Sequence, residues 1–441
     1  MGNSHAAVLG HSKNTTTPTT ETVTVNLAST SLTIPANFVG VSWETNDLTS
    51  GLLQGASGTS VCGLMSMLGT NGVFRVGGTS ADNVSGVPLT QSLANALKSY
   101  VSCLGANWTL IYNLDYGTND PTTAVTQAGY IINAFGLNNV VFQVGNEVAA
   151  QAGYATRWNS YYSALTTAYP TIKLGATDGP IGASTGSIEG WISGLTPGLS
   201  GLTFVSPHYY ATSGTFLTAA QLLAYAVGQT FYTDLNTYSS NKVVFTEWNN
   251  ESGGGVQGVT DRMMACAWYL NMMMSLSSNG TMGTNAHNVI NGQPNYNHVG
   301  YYNSYVLLGD GNWWPSPEFY GELLFSKIEG QTIVATSKSG TGNVSSIATK
   351  GANGNANIIV VNNDPNYPVV VTPTQSSAWS TATVLEVEPL TAQGCFDPNA
   401  TAGGKQIGES GSPGPGSPYT VANGGTVTLQ PCGAALVQIQ P

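Results

Sequence analysis

Charged residues are scarce in this sequence of 441 residues. They make up 7% of the chain, whereas an ordinary soluble domain contains about 25%. Positive charge is the scarcer kind, because 11 Lys and Arg stand against 22 Asp and Glu and give a net charge of −11. Proteins that bind nucleic acid need clustered Lys and Arg to neutralise phosphates. We therefore expect no nucleic-acid partner.

Long apolar runs are also absent. No stretch approaches the ~20 apolar residues that a membrane-spanning helix requires, so we expect no membrane span. Residues 1–20 are polar and rich in Thr and Pro, which predicts a flexible leader. They lack the basic and apolar segments of a secretory signal. The rest of the chain is rich in Ser, Thr, Asn and Gly and poor in Lys, as is typical of extracellular proteins, so we expect a secreted or periplasmic protein whose signal segment is missing from this sequence.

The five cysteines are few and widely separated. Cys62 with Cys103, and Cys395 with Cys432, could form two disulfides in an oxidising compartment. Cys266 lies in an apolar, helix-like run, which indicates a buried thiol. Because the sequence shows no CxxC motif and no Cys/His cluster, a structural zinc site is disfavoured. We expect neither a metal nor a cofactor.

The middle of the chain alternates short apolar runs with longer helix-like segments, a pattern typical of parallel βα units. The candidate strands lie at 38–43, 73–76, 109–114, 140–144, 173–176, 204–208 and 243–246. An eighth strand is expected between 280 and 310. We therefore predict an α/β fold with a (β/α)8 TIM barrel over residues 36–328.

The C-terminal part has a different pattern, in which short apolar runs are separated by Gly, Pro, Asn and Asp. The candidate strands lie at 332–337, 344–349, 356–361, 369–371, 381–387, 425–429 and 434–439. This spacing predicts an antiparallel β-sandwich domain over residues 329–441. Residues 21–35 alternate polar and apolar side chains, so we expect them to add a strand to this sandwich.

Two predicted barrel strands run directly into glutamates. The strand at 140–144 is followed by Asn146 and Glu147, and the strand at 243–246 by Glu247. Catalytic groups of such barrels lie where strands end, and a carboxylate beside buried residues is costly unless it is paired or used. Two carboxylates facing one cleft form the apparatus of a glycosidase. The alternative is that each glutamate only caps its strand and binds a loop.

Several motifs occur in a shared order. They are FVGVSWE at 38–44, FRVGGTSAD at 74–82, GNE at 145–147, HYY at 208–210, EWNNESGGG at 247–255 and EFYGELLFSKIEG at 318–330. This order resembles clan A of the glycoside hydrolases and, more narrowly, glycoside hydrolase family 79, the family of β-glucuronidases and heparanases. The resemblance covers roughly residues 30–335.

The resemblance implies a role for each matching residue. Glu247 would be the nucleophile and Glu147 the acid/base of a retaining enzyme. Asn146 would hydrogen-bond the 2-hydroxyl of the sugar, and Glu44 would accept hydrogen bonds from other sugar hydroxyls. Tyr209 would hydrogen-bond Glu247 and fix its orientation.

The resemblance also implies how a uronic acid would be selected. The backbone N–H groups of Gly253 and Gly254, together with Tyr296, would bind the carboxylate of the sugar without any cation. One position departs from the family pattern, because Ser252 stands where the family usually has a tyrosine. A shorter side chain there would leave room for a modified uronate or for a different sugar.

The sequence thus predicts a retaining exo-β-glycosidase that removes terminal β-linked glucuronic acid, or a modified uronate, from a carbohydrate substrate. The small number of Lys and Arg argues against endo-cleavage of a long sulfated polysaccharide. Two alternatives stay open. The first is a β-glycosidase for a neutral glucoside, xyloside or arabinofuranoside, and the second is a non-catalytic carbohydrate-binding protein, against which the two strand-end glutamates speak.

Overall fold

The computed structural model describes residues 18–440 except 51, 54, 83–87, 180–183, 197, 214–217, 225–228, 291–300, 308–310, 352, 353 and 355. Most of the predicted leader lies outside these residues. The described chain has a mixed α/β fold with a curled parallel sheet and a large, mainly antiparallel sheet.

The parallel sheet carries the candidate site. The first nine strands of the chain are β1 (Thr19–Thr33), β2 (Val39–Glu44), β3 (Asn71–Gly77), β4 (Asn107–Leu114), β5 (Val140–Val144), β6 (Ala176–Gly179), β7 (Val205–Ser213), β8 (Val244–Ser252) and β9 (Gly283–Asn288). Strands β2–β9 pair in the order β5-β4-β3-β2-β9-β8-β7-β6. The backbone of Phe142 in β5 bonds Lys173 O at 2.9 Å and Gly175 N at 2.8 Å. Because these residues lead into β6, the bonds draw the two outer strands together and the sheet curls back on itself.

Helices connect the strands and cover the outside of the sheet. They are α1 (Gly55–Met65), α2 (Gln91–Leu104), α3 (Pro121–Phe135), α4 (Tyr154–Ala168), α5 (Thr185–Ser193), α6 (Ala219–Ala224), α7 (Gln229–Tyr238), α8 (Met263–Ser278) and α9 (Pro317–Ser326). Local signals set several boundaries, since Thr90 caps α2 and Asp120 caps α3 just before Pro121. Within the described residues, none of the helices combines the length and apolar character needed to cross a bilayer.

Each of the seven predicted strands of the barrel overlaps one of β2–β8. The largest displacement is at β6, which begins where the predicted strand 173–176 ends. The expected eighth strand is β9, at the start of the predicted interval. Every residue of β9 is buried although the segment is mostly polar, because its side chains bond inside the sheet, as Asn285 Nδ2 does to Val73 O at 3.0 Å.

The remaining strands are β10 (Tyr305–Leu307), β11 (Trp313–Pro315), β12 (Thr332–Gly340), β13 (Val344–Lys350), β14 (Ala356–Asn362), β15 (Val369–Gln375), β16 (Thr381–Pro389), β17 (Ala400–Ala402), β18 (Tyr419–Ala422), β19 (Val427–Leu429) and β20 (Ala434–Gln440). Strands β12–β20 and β1 form a ten-stranded sheet. The early strand β1 pairs antiparallel with β12 but parallel with β15, so the expectation of a purely antiparallel unit is wrong at this pair. Where the unit begins and ends along the chain stays a prediction.

Disulfides join Cys62 to Cys103 and Cys395 to Cys432, as their positions predicted. Cys266 is a buried free thiol in α8. Burial raises the pKa of this thiol and keeps it unreactive. The two disulfides fit a protein that folds in an oxidising compartment.

Candidate active site

A cavity opens at the carboxyl ends of the parallel strands. It encloses about 770 Å³ of space, a volume that includes open solvent at its mouth. Five of the predicted site residues line it, namely Glu44, Glu147, Glu247, Gly253 and Gly254. The chain therefore brings both strand-end glutamates to one cleft, although 100 residues separate them in sequence.

Glu247 lies deep in this cleft at the end of the apolar part of β8. The pairing of β8 with β9 shifts register between Phe245 and Trp248, an irregularity that leaves both Thr246 and Glu247 facing inward. The Glu247 carboxylate accepts a hydrogen bond from Arg75 at 2.8 Å through Oε2 and from the Tyr210 hydroxyl at 2.7 Å through Oε1. Glu247 is thus held by two donors in one orientation.

Burial by itself would raise the pKa of Glu247, because it disfavours the charged form. The positive charges of His287, His208 and Arg75, with the hydrogen bond from Tyr210, outweigh that effect and bring the pKa below its ordinary value. The site therefore keeps Glu247 ionised, as a nucleophile requires.

Arg75 is the centre of a buried polar network. Its side chain is fully buried, and besides Glu247 it donates to Ser42 Oγ at 2.9 Å, Gln143 Oε1 at 3.2 Å and Asn146 Oδ1 at 3.0 Å. The last contact fixes the amide of Asn146 with its nitrogen directed away from the guanidinium. Arg75 thus couples the orientation of Asn146 to that of Glu247.

Glu147 lies on a sharp turn after β5. Gly145 has φ of 79°, and a Cβ at this position would come within 2.7 Å of the side chains of Tyr116 and Val148. The next backbone N–H, that of Asn146, donates to Asp82 Oδ2 at 2.9 Å. Glu147 itself has φ of 54°, which is costly for a residue with a Cβ and marks a position held by its surroundings.

The environments of the two glutamates differ. The side chain of Glu147 is 29% exposed and that of Glu247 is 8% exposed. His208 Nδ1 lies 3.1 Å from Glu147 Oε1 and 3.8 Å from Glu247 Oε2, between the two carboxyls. One carboxyl is thus buried and held by cations, while the other faces the open part of the cavity.

One donor atom from each of Glu147, His208 and Glu247 lies within 4.8 Å of the other two, close enough to coordinate a cation. The guanidinium of Arg75, however, already contacts Glu247 and would repel a metal ion at the same oxygen. We therefore assign no metal to this cluster. In retaining glycosidases the two carboxyl groups are ≈ 5–5.5 Å apart, and in inverting ones ≈ 6.5–9.5 Å.

Glu44 lines the cavity, but protein groups already occupy its oxygens. It accepts from the backbone N–H of Thr79 at 3.2 Å, from both the N–H (2.9 Å) and the hydroxyl of Ser80, and lies 3.4 Å from His287 Nε2. An ionised carboxylate offers about four acceptor positions. That Glu44 accepts hydrogen bonds from sugar hydroxyls stays a prediction. Because the four protein contacts already use its acceptor positions, a sugar hydroxyl would have to share or displace one of them.

The expectation for Tyr209 needs correction. The hydroxyl that Glu247 accepts from belongs to Tyr210, which lines the cavity, whereas Tyr209 packs as a partly buried side chain against the hydrophobic core. The physical reason is the alternation of a strand, since His208 and Tyr210 point inward and Tyr209 points to the opposite face. The hydrogen bond to Glu247 that was predicted for Tyr209 is therefore made by the next residue, Tyr210.

Ser252, Gly253 and Gly254 also line the cavity, with φ of 73° and 99° at the glycines. Tyr296, predicted to bind the sugar carboxylate, lies outside the described residues. The cavity is instead lined by Tyr302, whose pKa burial and the nearby Glu247 charge raise well above its usual value. This phenol stays protonated and can donate.

Sequence reasoning missed Tyr302 and His287. His287 lies within the buried strand β9 and contacts Ser42 Oγ at 3.0 Å through Nδ1. Neither residue belongs to an apolar run that ends in a carboxylate, which was the pattern that located the glutamates. The available signal was that both residues fall in the interval 280–310, where the eighth strand was expected.

No family model and no curated protein sequence matches this chain. Solved structures share its fold. A 4-O-α-L-rhamnosyl-β-D-glucuronidase from Fusarium oxysporum 12S superposes with a TM-score of 0.72 at 18% identity, covering 94% of this chain and 99% of its own. A family 51 arabinofuranosidase from Xanthomonas axonopodis pv. citri gives 0.70 at 14% identity, covering 96% and 100%. A family 44 xyloglucanase from Paenibacillus polymyxa gives 0.62 at 11% identity, again covering 96% and 100%. At these identities the likeness establishes the fold, which several glycoside hydrolase families share.

Proposed function

We propose that this protein is a retaining exo-β-glycosidase that releases terminal β-linked glucuronic acid, or a modified uronate, from a carbohydrate substrate. The proposal includes a complete (β/α)8 barrel with a β-sandwich, membership of glycoside hydrolase family 79 and a secreted location. The observation that carries it is the pair Glu147 and Glu247, whose nearest oxygens lie within 4.8 Å across one cavity. That spacing favours double displacement, because an inverting enzyme needs room for a water molecule between its carboxyls.

In the first step, Glu247 Oε attacks the anomeric carbon while Glu147 gives its proton to the leaving glycosidic oxygen. A covalent glycosyl ester forms, the bond to the aglycone breaks and the aglycone leaves as an alcohol. Arg75 and Tyr210 hold the attacking carboxylate by contacts of 2.8 and 2.7 Å. Asn146, oriented by Arg75 at 3.0 Å, donates to the sugar 2-hydroxyl, a contact that strengthens in the transition state.

In the second step, Glu147 takes a proton from a water molecule while the oxygen of that water attacks the anomeric carbon of the ester. Glu247 leaves as a carboxylate, and the net stereochemistry is retained. His208, 3.1 Å from Glu147, orients this carboxyl through both steps. Because Glu147 is the more exposed carboxyl, a water molecule can replace the departing aglycone beside it.

The uronate carboxylate would lie against Gly253 and Gly254, whose positive-φ backbone can present N–H groups to an anion. The Tyr302 phenol and the Ser252 hydroxyl line the same cavity. The Fusarium neighbour named for a 4-O-rhamnosyl glucuronide makes a 4-O-substituted uronate a reasonable variant of the substrate. A neutral glycone is the second candidate, and the short side chain of Ser252 is the observation that favours it.

The test is hydrolysis of 4-nitrophenyl β-D-glucuronide beside the β-glucoside, β-xyloside, β-galactoside and α-L-arabinofuranoside. We expect turnover of the glucuronide, lost in Glu247→Gln. Glu147→Ala should regain turnover with added azide and release the β-configured glycosyl azide, since azide replaces water in the second step. Turnover of neutral glycosides alone would refute uronate specificity. No turnover of any substrate, with glycan binding unchanged in Glu247→Gln, would favour a carbohydrate-binding protein.

A further inference from the structure

We propose that His287 is a specificity-determining residue, whose imidazolium form supplies the positive charge with which the cavity accepts the carboxylate of a uronic acid. The inference depends on the function proposed above and deepens it. It assigns the charge balance of the glycone pocket to one buried histidine that no sequence motif indicated.

The geometry places His287 between the two carboxylates of the pocket. Its Nε2 lies 3.4 Å from Glu44 Oε1, and its Nδ1 lies 3.9 Å from Glu247 Oε2 and 3.0 Å from Ser42 Oγ. The residue is 2% exposed and lines the cavity. Any change of its charge therefore acts on bound substrate through a low-dielectric environment rather than through bulk water.

The charges around His287 come from each strand packed against it. Glu44 on β2 and Glu247 on β8 are acidic, Arg75 on β3 is basic, and the Tyr302 phenol stays neutral because burial and Glu247 raise its pKa. Glu147 and His208 face each other at 3.1 Å.

Among the groups whose charges act on His287, a neutral His287 leaves the carboxylates of Glu44 and Glu247 facing the guanidinium of Arg75, with one negative charge in excess. A uronate that enters beside these groups adds a second excess negative charge, and like charges in a buried site repel strongly. An imidazolium at His287 brings this set of four groups to neutrality. A neutral glycone such as glucose has no such requirement.

Burial alone would lower the pKa of His287, but the charge of Glu247 and the hydrogen bond and charge of Glu44 outweigh burial and Arg75, so the pKa is raised above 6.5. Since a further anion in the pocket raises it again, uronate binding above the pKa of the free protein must draw a proton from solvent. Well below that pKa the histidine is already charged and no proton is taken up.

The experiment is isothermal titration calorimetry of the wild-type protein with phenyl 1-thio-β-D-glucuronide and phenyl 1-thio-β-D-glucoside between pH 5 and 9. Sulfur-linked glycosides resist turnover, and the two ligands differ only in carboxylate against hydroxymethyl. Paired buffers of different ionisation enthalpy count the protons bound. We expect uptake of up to one proton with the glucuronide and none with the glucoside. Affinity for the glucuronide should fall by up to tenfold per pH unit above the His287 pKa.

His287→Gln should abolish the proton uptake and flatten the pH dependence, whereas Tyr209→Phe, which changes a side chain packed against the hydrophobic core, should keep both. If His287→Gln does not fold, His287→Asn takes its place, and absence of proton uptake in the wild-type protein refutes the proposal without either variant. Glucuronide binding without proton uptake, and with the pH dependence of the glucoside, would overturn the role of His287 while leaving the uronate function standing. Binding of the glucoside alone at every pH would overturn both.

Discussion

The carboxyl of Glu322 in α9 is 1% exposed and meets no positive charge within the described contacts, so replacing it with glutamine should stabilise the protein at alkaline pH. Its oxygens accept from Ser304 Oγ at 2.8 Å and from the Tyr305 hydroxyl at 3.4 Å. Burial raises its pKa from 4.5 to about 8, and these two hydrogen bonds only partly offset that effect. Glutamine keeps one acceptor for the serine and offers an N–H to the tyrosine.

The magnitude follows from linkage between protonation and folding. The pKa of the folded state lies above that of the unfolded chain, so the unfolded chain loses its proton first. The contribution of Glu322 to the free energy of unfolding is therefore most favourable below pH 4.5. It declines as the pH rises and reaches its least favourable value once the pH passes about 8. Each pH unit is worth about 1.4 kcal/mol, so this range corresponds to about 5 kcal/mol.

The assay is the free energy of unfolding in urea, measured from pH 4.5 to 9 for wild type, Glu322→Gln and the surface variant Glu189→Gln. The difference between Glu322→Gln and wild type should grow by about 5 kcal/mol with rising pH. Glu189→Gln should follow wild type throughout. Parallel curves for wild type and Glu322→Gln would show that Glu322 ionises as readily in the folded protein as in the unfolded chain, and the reasoning from burial would fail.

Three further substitutions test the site. Arg75→Met should lower kcat/KM by about 10²–10³-fold, the effect of removing one partner of a buried ion pair, and should move the acidic limb of the pH–rate profile upward because the pKa of the proposed nucleophile rises. Tyr210→Phe should cost about 10–100-fold in kcat through the lost hydrogen bond to a charged group, while Tyr209→Phe stays near wild type; equal effects would contradict the strand alternation. Gly145→Ala should abolish activity and lower Tm, whereas Gly153→Ala, with φ of 76° but open space around its Cβ, should lower Tm by the backbone cost alone.

The positions of the glutamates were predictable from sequence because each follows an apolar strand. The run at 140–144 forms β5, the run at 243–246 leads into the apolar start of β8, and parallel strands bring their carboxyl ends to one edge. Burial of the strand and the cost of an unpaired carboxylate are properties of the local sequence. What the run could not reveal is the register shift in β8 that turns Glu247 inward beside Thr246.

The error at Tyr209 has a different origin. A motif of two tyrosines in succession contains no signal for which one faces inward, since both side chains suit either face of a strand. The choice is made by pairing, in which His208 lies opposite Glu247 and Tyr210 opposite Asn249. A shift of one residue in a strand exchanges its two faces, so residue roles on strands are less predictable than strand positions.

The last strand of the parallel sheet, β9, was located only as an interval because its residues do not resemble those of an apolar buried strand. Six consecutive residues of β9 are buried, yet the segment contains two asparagines and His287. Asn285 Nδ2 donates to Val73 O, His287 Nδ1 contacts Ser42 Oγ, and Asn288 Oδ1 accepts from the backbone N–H of Ser304. Hydropathy detects burial only when it is achieved by apolar side chains. The same property explains why sequence reasoning missed His287. Its neighbours in β9 are mostly polar as well, so no change in hydropathy marks its position. If the charge of His287 governs uronate binding, then specificity in this fold is set where sequence patterns are least informative, and calorimetric proton counting can detect it where motif comparison cannot.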